Sequence, residues 1–254
     1  MAIPRRRLFG GLAAITLAGA CAPARTGSTE PTATPSRSAP VPSTPSPDPS
    51  PAGPVHAVET AHGPRGVPRV ALTFHGSGSP SLAEALLREA ERLGVKVTVL
   101  AVGTWLDQHP AMAERILHGG HDLGNHTLHH YPMRRLGKVE SLHEVRGCAE
   151  VLRRLTGGPG RWFRASGTQH TTALIRRAAG EAGYRTCLSY DVDTLDYQDP
   201  GAAAVVRNAL RGARAGSILS MHLGHAGTVT ALPELVRGLR AKGLTPVTVG
   251  ELLA

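Results

Sequence analysis

From Arg69 to the C-terminus, apolar strand-like runs alternate with amphipathic helix-like runs, and that alternation restricts the chain to one fold class. The pattern predicts strands at Val70–Phe74, Val95–Val102, His121–Asn125, Arg161–Arg164, Arg185–Tyr190, Ser217–Met221 and Pro246–Val249. Helical spacing separates them: Leu82, Leu86, Ala90 and Leu93 share one face, as do Leu142, Val145, Ala149, Leu152 and Leu155, and Leu232, Leu235, Val236 and Leu239. Ser81 and Glu84 have the spacing of a capping box at the first helix, and Gly94 closes it. Seven strands at about 27 residues each match the ~30 of a βαβ unit, so the expectation is an α/β fold with a parallel sheet. Whether the sheet closes into a barrel is not decided by the pattern.

The chemistry-bearing residues fall just beyond predicted strand ends. His75 follows the first strand, His126 the third, Arg164 ends the fourth, Asp193 follows the fifth and His222 the sixth. In parallel α/β proteins the site is built at the C-terminal edge of the sheet, and packing alone does not explain five such residues on one edge. In "GNHTLHHYP", His126 and His130 are four apart, so on a helical turn both imidazoles would face the same way and could share a metal. His129 crowds the same turn.

The N-terminal part has a different composition. Residues 1–21 read as an export signal: Arg5, Arg6 and Arg7 precede the apolar run "LFGGLAAITLAGA", which at 13 residues is too short to span a bilayer. Arg6-Arg7-Leu8-Phe9 resembles the twin-arginine export signal, and "LAGAC" resembles a lipoprotein box whose Cys21 would be acylated. Residues 22–54 hold ten Pro among many Ser and Thr and almost nothing to bury, which predicts an extended, disordered tether. The expectation is an exported protein held by lipid on the outer face of a bacterial cell membrane. The net charge of +9 is that of many nucleic-acid binders, but three of those charges are Arg5, Arg6 and Arg7. The other arginines are dispersed, and at 4% aromatics there is no stacking platform, so nucleic-acid binding is excluded.

Five stretches in order, "LTFHG", "GHDLGNHTLHH", "WFRASG", "VDTLDY" and "ILSMH", resemble the NodB-type polysaccharide deacetylases, carbohydrate esterase family four. The resemblance covers residues 68–254. It implies a distorted (β/α) barrel of about seven parallel strands and a metal-dependent hydrolase that removes acetyl groups from a cell-wall or exported polysaccharide, such as peptidoglycan or a chitin-like glycan. It further implies His126 and His130 as ligands of a divalent metal (zinc, with cobalt or nickel as alternatives), His222 as general acid, Asp193 as the carboxylate orienting it, and Arg164 as the arginine ordering the site. Asp196 is near enough in sequence to compete with Asp193.

The chain departs from the family pattern where that pattern has T-F-D-D-G. Here Thr73-Phe74-His75-Gly76 lacks both carboxylates, "RASG" lacks the usual Pro, and Tyr197 replaces a Trp. His75 is the nearest substitute for the missing third ligand; alternatively it keeps the place of the first Asp and acts as base. Three function classes follow: a metal-dependent deacetylase, a catalytically inactive tethered glycan-binding lipoprotein, and a hydrolase with a shifted acyl substrate. Of the cysteines, Cys148 and Cys187 remain once Cys21 is acylated, and the sequence leaves open whether they form a disulfide or two buried thiols.

Overall fold

A computed structural model describes residues 56–254; the export signal, Cys21 and the tether over 22–54 lie outside the described residues. The strands are β1 Val58–Thr60, β2 Arg69–Gly76, β3 Thr98–Ala101, β4 Asp122–Asn125, β5 Thr186–Leu188, β6 Val192–Asp193, β7 Ile218–His222 and β8 Thr245–Val247. The helices are α1 Pro80–Arg92, α2 Gly103–Gln108, α3 Ala111–His118, α4 Lys138–Thr156, α5 Ala173–Glu181, α6 Ala202–Gly212, α7 Ala226–Ala241 and α8 Val249–Leu252, with 3-10 turns at Met133–Arg135 and Asp196–Gln198.

Every strand pairing is parallel. The main sheet runs β4-β3-β2-β7-β6, with β8 on the start of β2, and β1 pairs β5. Phe163 closes the gap by bridging Asn125 on one side and Cys187 on the other, and Asp191 N–H donates to Ile218 C=O beside β7. Hydrogen bonds therefore run around a distorted barrel. The predicted strand Arg161–Arg164 shrinks to that single bridging residue. Val249, predicted as strand, begins α8 because Thr248 caps the helix in a reciprocal box with Glu251. The box predicted for α1 is not formed. Pro80 occupies its first turn, Ser79 is the N-cap, and Glu84 bonds Arg88 and Arg115. Strands β1 and β6, three and two residues long, are additions that no alternation could signal.

The two-residue period of β2 sorts its side chains. Val70, Leu72 and Phe74 face the outer helices in one apolar cluster, whereas Ala71 joins Leu100, Trp162, Leu188 and Ile218 inside the barrel. Thr73 and His75 continue that inward row, so the interior passes from apolar at its base to polar at the C-terminal rim. Strand β7 repeats the gradient with Ile218, Ser220 and His222 inward and Leu219 and Met221 outward. Helices α1, α6 and α7 bury Leu86, Leu87, Val205, Leu232 and Leu235 against the outer face. Cys148 and Cys187 are both free and buried, so the disulfide is absent; burial pushes each thiol up to about 12.

Candidate functional site

The inward row ends in a hydrogen-bonded chain. His222 Nδ1 meets Asp196 Oδ1 at 2.8 Å, His222 Nε2 meets His75 Nδ1 at 2.8 Å, and His75 Nε2 meets Arg164 Nη1 at 3.3 Å. With one proton on each ring, a single assignment satisfies all three. Arg164 donates to His75 Nε2, His75 Nδ1–H donates to His222 Nε2, and His222 Nδ1–H donates to Asp196. Asp196 also accepts the His222 backbone N–H at 2.7 Å and the Thr228 hydroxyl at 2.7 Å. Burial raises its pKa, but the hydrogen bonds and charge from His222 and the Thr228 bond outweigh that, and the carboxyl titrates below its ordinary range. The carboxylate orienting His222 is thus Asp196, not Asp193. Asp193 is turned aside, with its Oδ1 accepting the Leu195 N–H at 2.9 Å.

Arg164 is 1% exposed, and among the described residues no carboxylate pairs with it. Its guanidinium donates to Leu188 C=O, Ser189 C=O, Thr73 Oγ1 and His75, and it lies 5.3 Å from the centre of the Tyr190 ring. Burial lowers its pKa to about 10, which leaves it charged at neutral pH. His75 is buried as well. Desolvation, then the charges of His126, Arg164, His222 and His130, hold it well below the ordinary imidazole range. Thr73 was overlooked in the sequence, although its place two residues before His75 puts it on the same inward face.

His126 and His130 do come together, with ring centres 4.9 Å apart, but not on a helical turn. Residues 126–130 form a loop in which Thr127 and His130 take positive φ of 69° and 64°. Asn125 Oδ1 accepts the Thr127 N–H, Thr127 Oγ1 bonds Ser166 Oγ and accepts the His130 N–H, and these contacts hold the strained backbone. The other non-glycine residues with positive φ, among those described, are Leu195 and Asp199, which bracket the turn carrying Asp196. All four strained residues therefore flank the site, as expected where a backbone is held for function. His126 Nδ1 bonds the Arg164 C=O at 3.0 Å, leaving Nε2 buried without a partner. Burial and then His130 lower the His126 pKa well below its usual range; His130, beside the open mouth, is lowered by desolvation and then by His222.

A cavity of about 310 Å³ opens over these residues, walled by His75, His130, His222, Tyr190, Tyr197 and the 167–169 loop. Two loops that follow β2 and β7 meet each other. Gly78 has φ of +86°, and a Cβ there would lie 2.8 Å from Gly224 Cα, so "HGSG" after β2 and "HLGH" after β7 can touch only as glycine on glycine.

Comparison with known proteins agrees with this architecture. The polysaccharide deacetylase family profile matches residues 62–187. The solved structure of the T48 deacetylase with substrate is 31% identical, covers 74% of this chain and 91% of its own, and superposes with a TM-score of 0.67. The chain belongs to the polysaccharide deacetylase family. A peptidoglycan-N-acetylglucosamine deacetylase of Bacillus cereus is 27% identical over 188 residues, covering 72% of this chain and 87% of that protein. A Bacillus anthracis CE4 family pseudoenzyme shares the fold, with a TM-score of 0.73 at 22% identity over 78% of this chain and 69% of its own.

The family's divalent metal does not fit the donors present. His126 Nε2, buried and unpartnered with its Nδ1 anchored on a carbonyl, is disposed as a metal ligand, and His130 adjoins it. The third donor fails. Both nitrogens of His75 are engaged, and the pleat turns position 76 outward, where a Cβ would lie 2.9 Å from Val99 Cγ1. Among the described residues no group of three His, Cys, Asp or Glu side chains is arranged to hold a metal ion, whereas a zinc site takes three protein ligands or more. In this structure His75 links Arg164 to His222, and neither of its ring nitrogens is left free for a metal.

Proposed function

We propose that this chain is a tethered binder of a cell-wall-type polysaccharide, built on the deacetylase barrel without its hydrolytic chemistry. One observation carries the reading: His75 closes the line from Arg164 to Asp196. A general acid needs an Nε2–H free to reach the leaving group. With one proton on each ring, His222 Nε2 accepts from His75 instead. The same bond removes His75 from the metal donors. What persists is a cleft of polar side chains beside Tyr190 and Tyr197, the kind of surface that recognises sugars through hydroxyls and ring faces. The class of ligand is supported by the relatives, named as peptidoglycan and chitin deacetylases.

The signal, "LAGAC" and the Pro-rich segment support placing this domain outside the membrane on acylated Cys21. Labelled palmitate that enters the wild-type protein but not Cys21→Ser would support that anchor, and absence of label from wild type would refute it.

Hydrolysis is the second reading, favoured by the unpartnered His126 Nε2 beside His130 and by the intact Asp196–His222 pair. One experiment separates the two. The purified protein, as isolated and after incubation with zinc, cobalt or nickel, is given an N-acetylglucosamine oligomer, and binding, acetate release and metal stoichiometry are measured together. Binding without acetate is expected. Acetate released in proportion to bound metal would establish the hydrolase and defeat the binding-only reading.

A further inference from the structure

Asp193 is left without its expected task. The sequence offers it as the partner of His222, yet Asp196 takes that place, and Asp193 contributes a carboxylate to the wall of the same cavity. Its Oδ1 accepts the Leu195 N–H, and among the described residues no other hydrogen bond reaches the group. Among the described residues no other acidic side chain lines the cavity, since Asp196 is 1% exposed and spends its oxygens on His222 and Thr228. The nearby cation acts on Asp193 through its charge alone: Arg164 gives its N–H groups to Thr73, His75, Leu188 and Ser189, and lies against the Tyr190 ring. On the other side Tyr197 is 46% exposed at the cavity edge.

A half-buried carboxylate with one oxygen free, in a cavity about the size of a sugar unit that Tyr190 and Tyr197 also line, suits a small cation carried on a polar ring. We infer that Asp193 and Tyr197 form a subsite for the protonated amine of a de-N-acetylated hexosamine, so that the domain reads glycan from which acetyl groups have already been removed. This deepens the glycan-binding reading above and rests on it. In reaction order the domain then acts after an N-deacetylating enzyme, whose product it would recognise.

The test compares glucosamine and N-acetylglucosamine oligomers of equal length by calorimetry at about pH 6.5, where the amine is charged, using the wild-type protein, Asp193→Asn and Tyr197→Ala. Asparagine keeps the acceptor for the Leu195 N–H, so the turn is preserved. The wild type should bind the free-amine oligomer about tenfold more tightly, the worth of one partly buried charge pair. Asp193→Asn should abolish that preference by weakening the free-amine oligomer far more than the acetylated one, and raised salt should erode the preference in wild type alone. Tyr197→Ala should weaken the free-amine oligomer more than the acetylated one. Equal binding of both oligomers by wild type, or an undiminished preference in Asp193→Asn, overturns this inference while the glycan-binding reading stands. If neither oligomer binds, both fall.

Discussion

Lowering the pH from 7 to 5 should destabilise this fold well before any carboxylate titrates. His75 and His126 are 8% and 0% exposed, and burial with the surrounding positive groups depresses both pKa values well below 6.5. In the unfolded chain each returns to about 6.5. The unfolded state therefore binds protons that the folded state refuses, so stability is fully present above pH 6.5 and is lost as pH falls through it. A histidine that stays neutral at pH 5 contributes about 2 kcal/mol to the difference between pH 7 and pH 5, and two contribute about 4 kcal/mol. That is a large share of the ~5–15 kcal/mol of a typical domain. His121 and His130, lowered in the same direction, add to the loss. The depressed carboxyls of Asp196 and Glu59 act in a lower window, below their unfolded values near pH 4. The assay is urea unfolding at pH 7, 6 and 5 with a chelator present, followed by fluorescence of the buried Trp105 and Trp162. With m of about 2 kcal/mol/M, the midpoint should drop by about 2 M. His126→Asn should flatten the slope by one proton. Identical midpoints at pH 7 and pH 5 would falsify the reasoning, because the buried rings would then be taking up protons in the folded state.

Asp196→Asn should cost about 1–3 kcal/mol, because it weakens three buried hydrogen bonds at once, and should shift His222 to another tautomer, visible in its ¹⁵N chemical shifts. Gly78→Ala should destabilise by about 1–3 kcal/mol through its positive φ and its approach to Gly224. The same variant should lengthen the His75–His222 bond, and unchanged ring shifts would count against that coupling. His75→Asp with Gly76→Asp restores the family's two carboxylates in sequence, yet position 76 faces Val99 and Ala101. That double variant should gain no stoichiometric zinc by mass spectrometry, and one tightly bound zinc per chain would show that β2 can turn its end inward.

The sequence by itself determined the fold class, because alternating periods of two and about 3.6 residues leave few ways to bury apolar faces. It also determined which end of the sheet carries the chemistry, since His75, His126, Arg164 and His222 each fall at or just beyond the end of a strand expected from the pattern. The family was legible in five short motifs. Tertiary structure alone decided the pairings. Asp193 and Asp196 are equivalent in spacing, and the choice between them came from the left-handed Leu195 and from Thr228 on α7, neither of which the D-x-x-D pattern specifies. The meeting of His126 with His130 looked like a helical turn but rests on strained loop residues held by Asn125 and Ser166. Whether His75 binds a metal, acts as base or links its neighbours depended on where its two nitrogens point. The alternation of β2 places the ring inside the barrel; Arg164 and His222, arriving from segments 89 and 147 residues away, fill both positions. Short-range pattern fixes which way a side chain faces, and only the packing of distant segments fixes what it meets there.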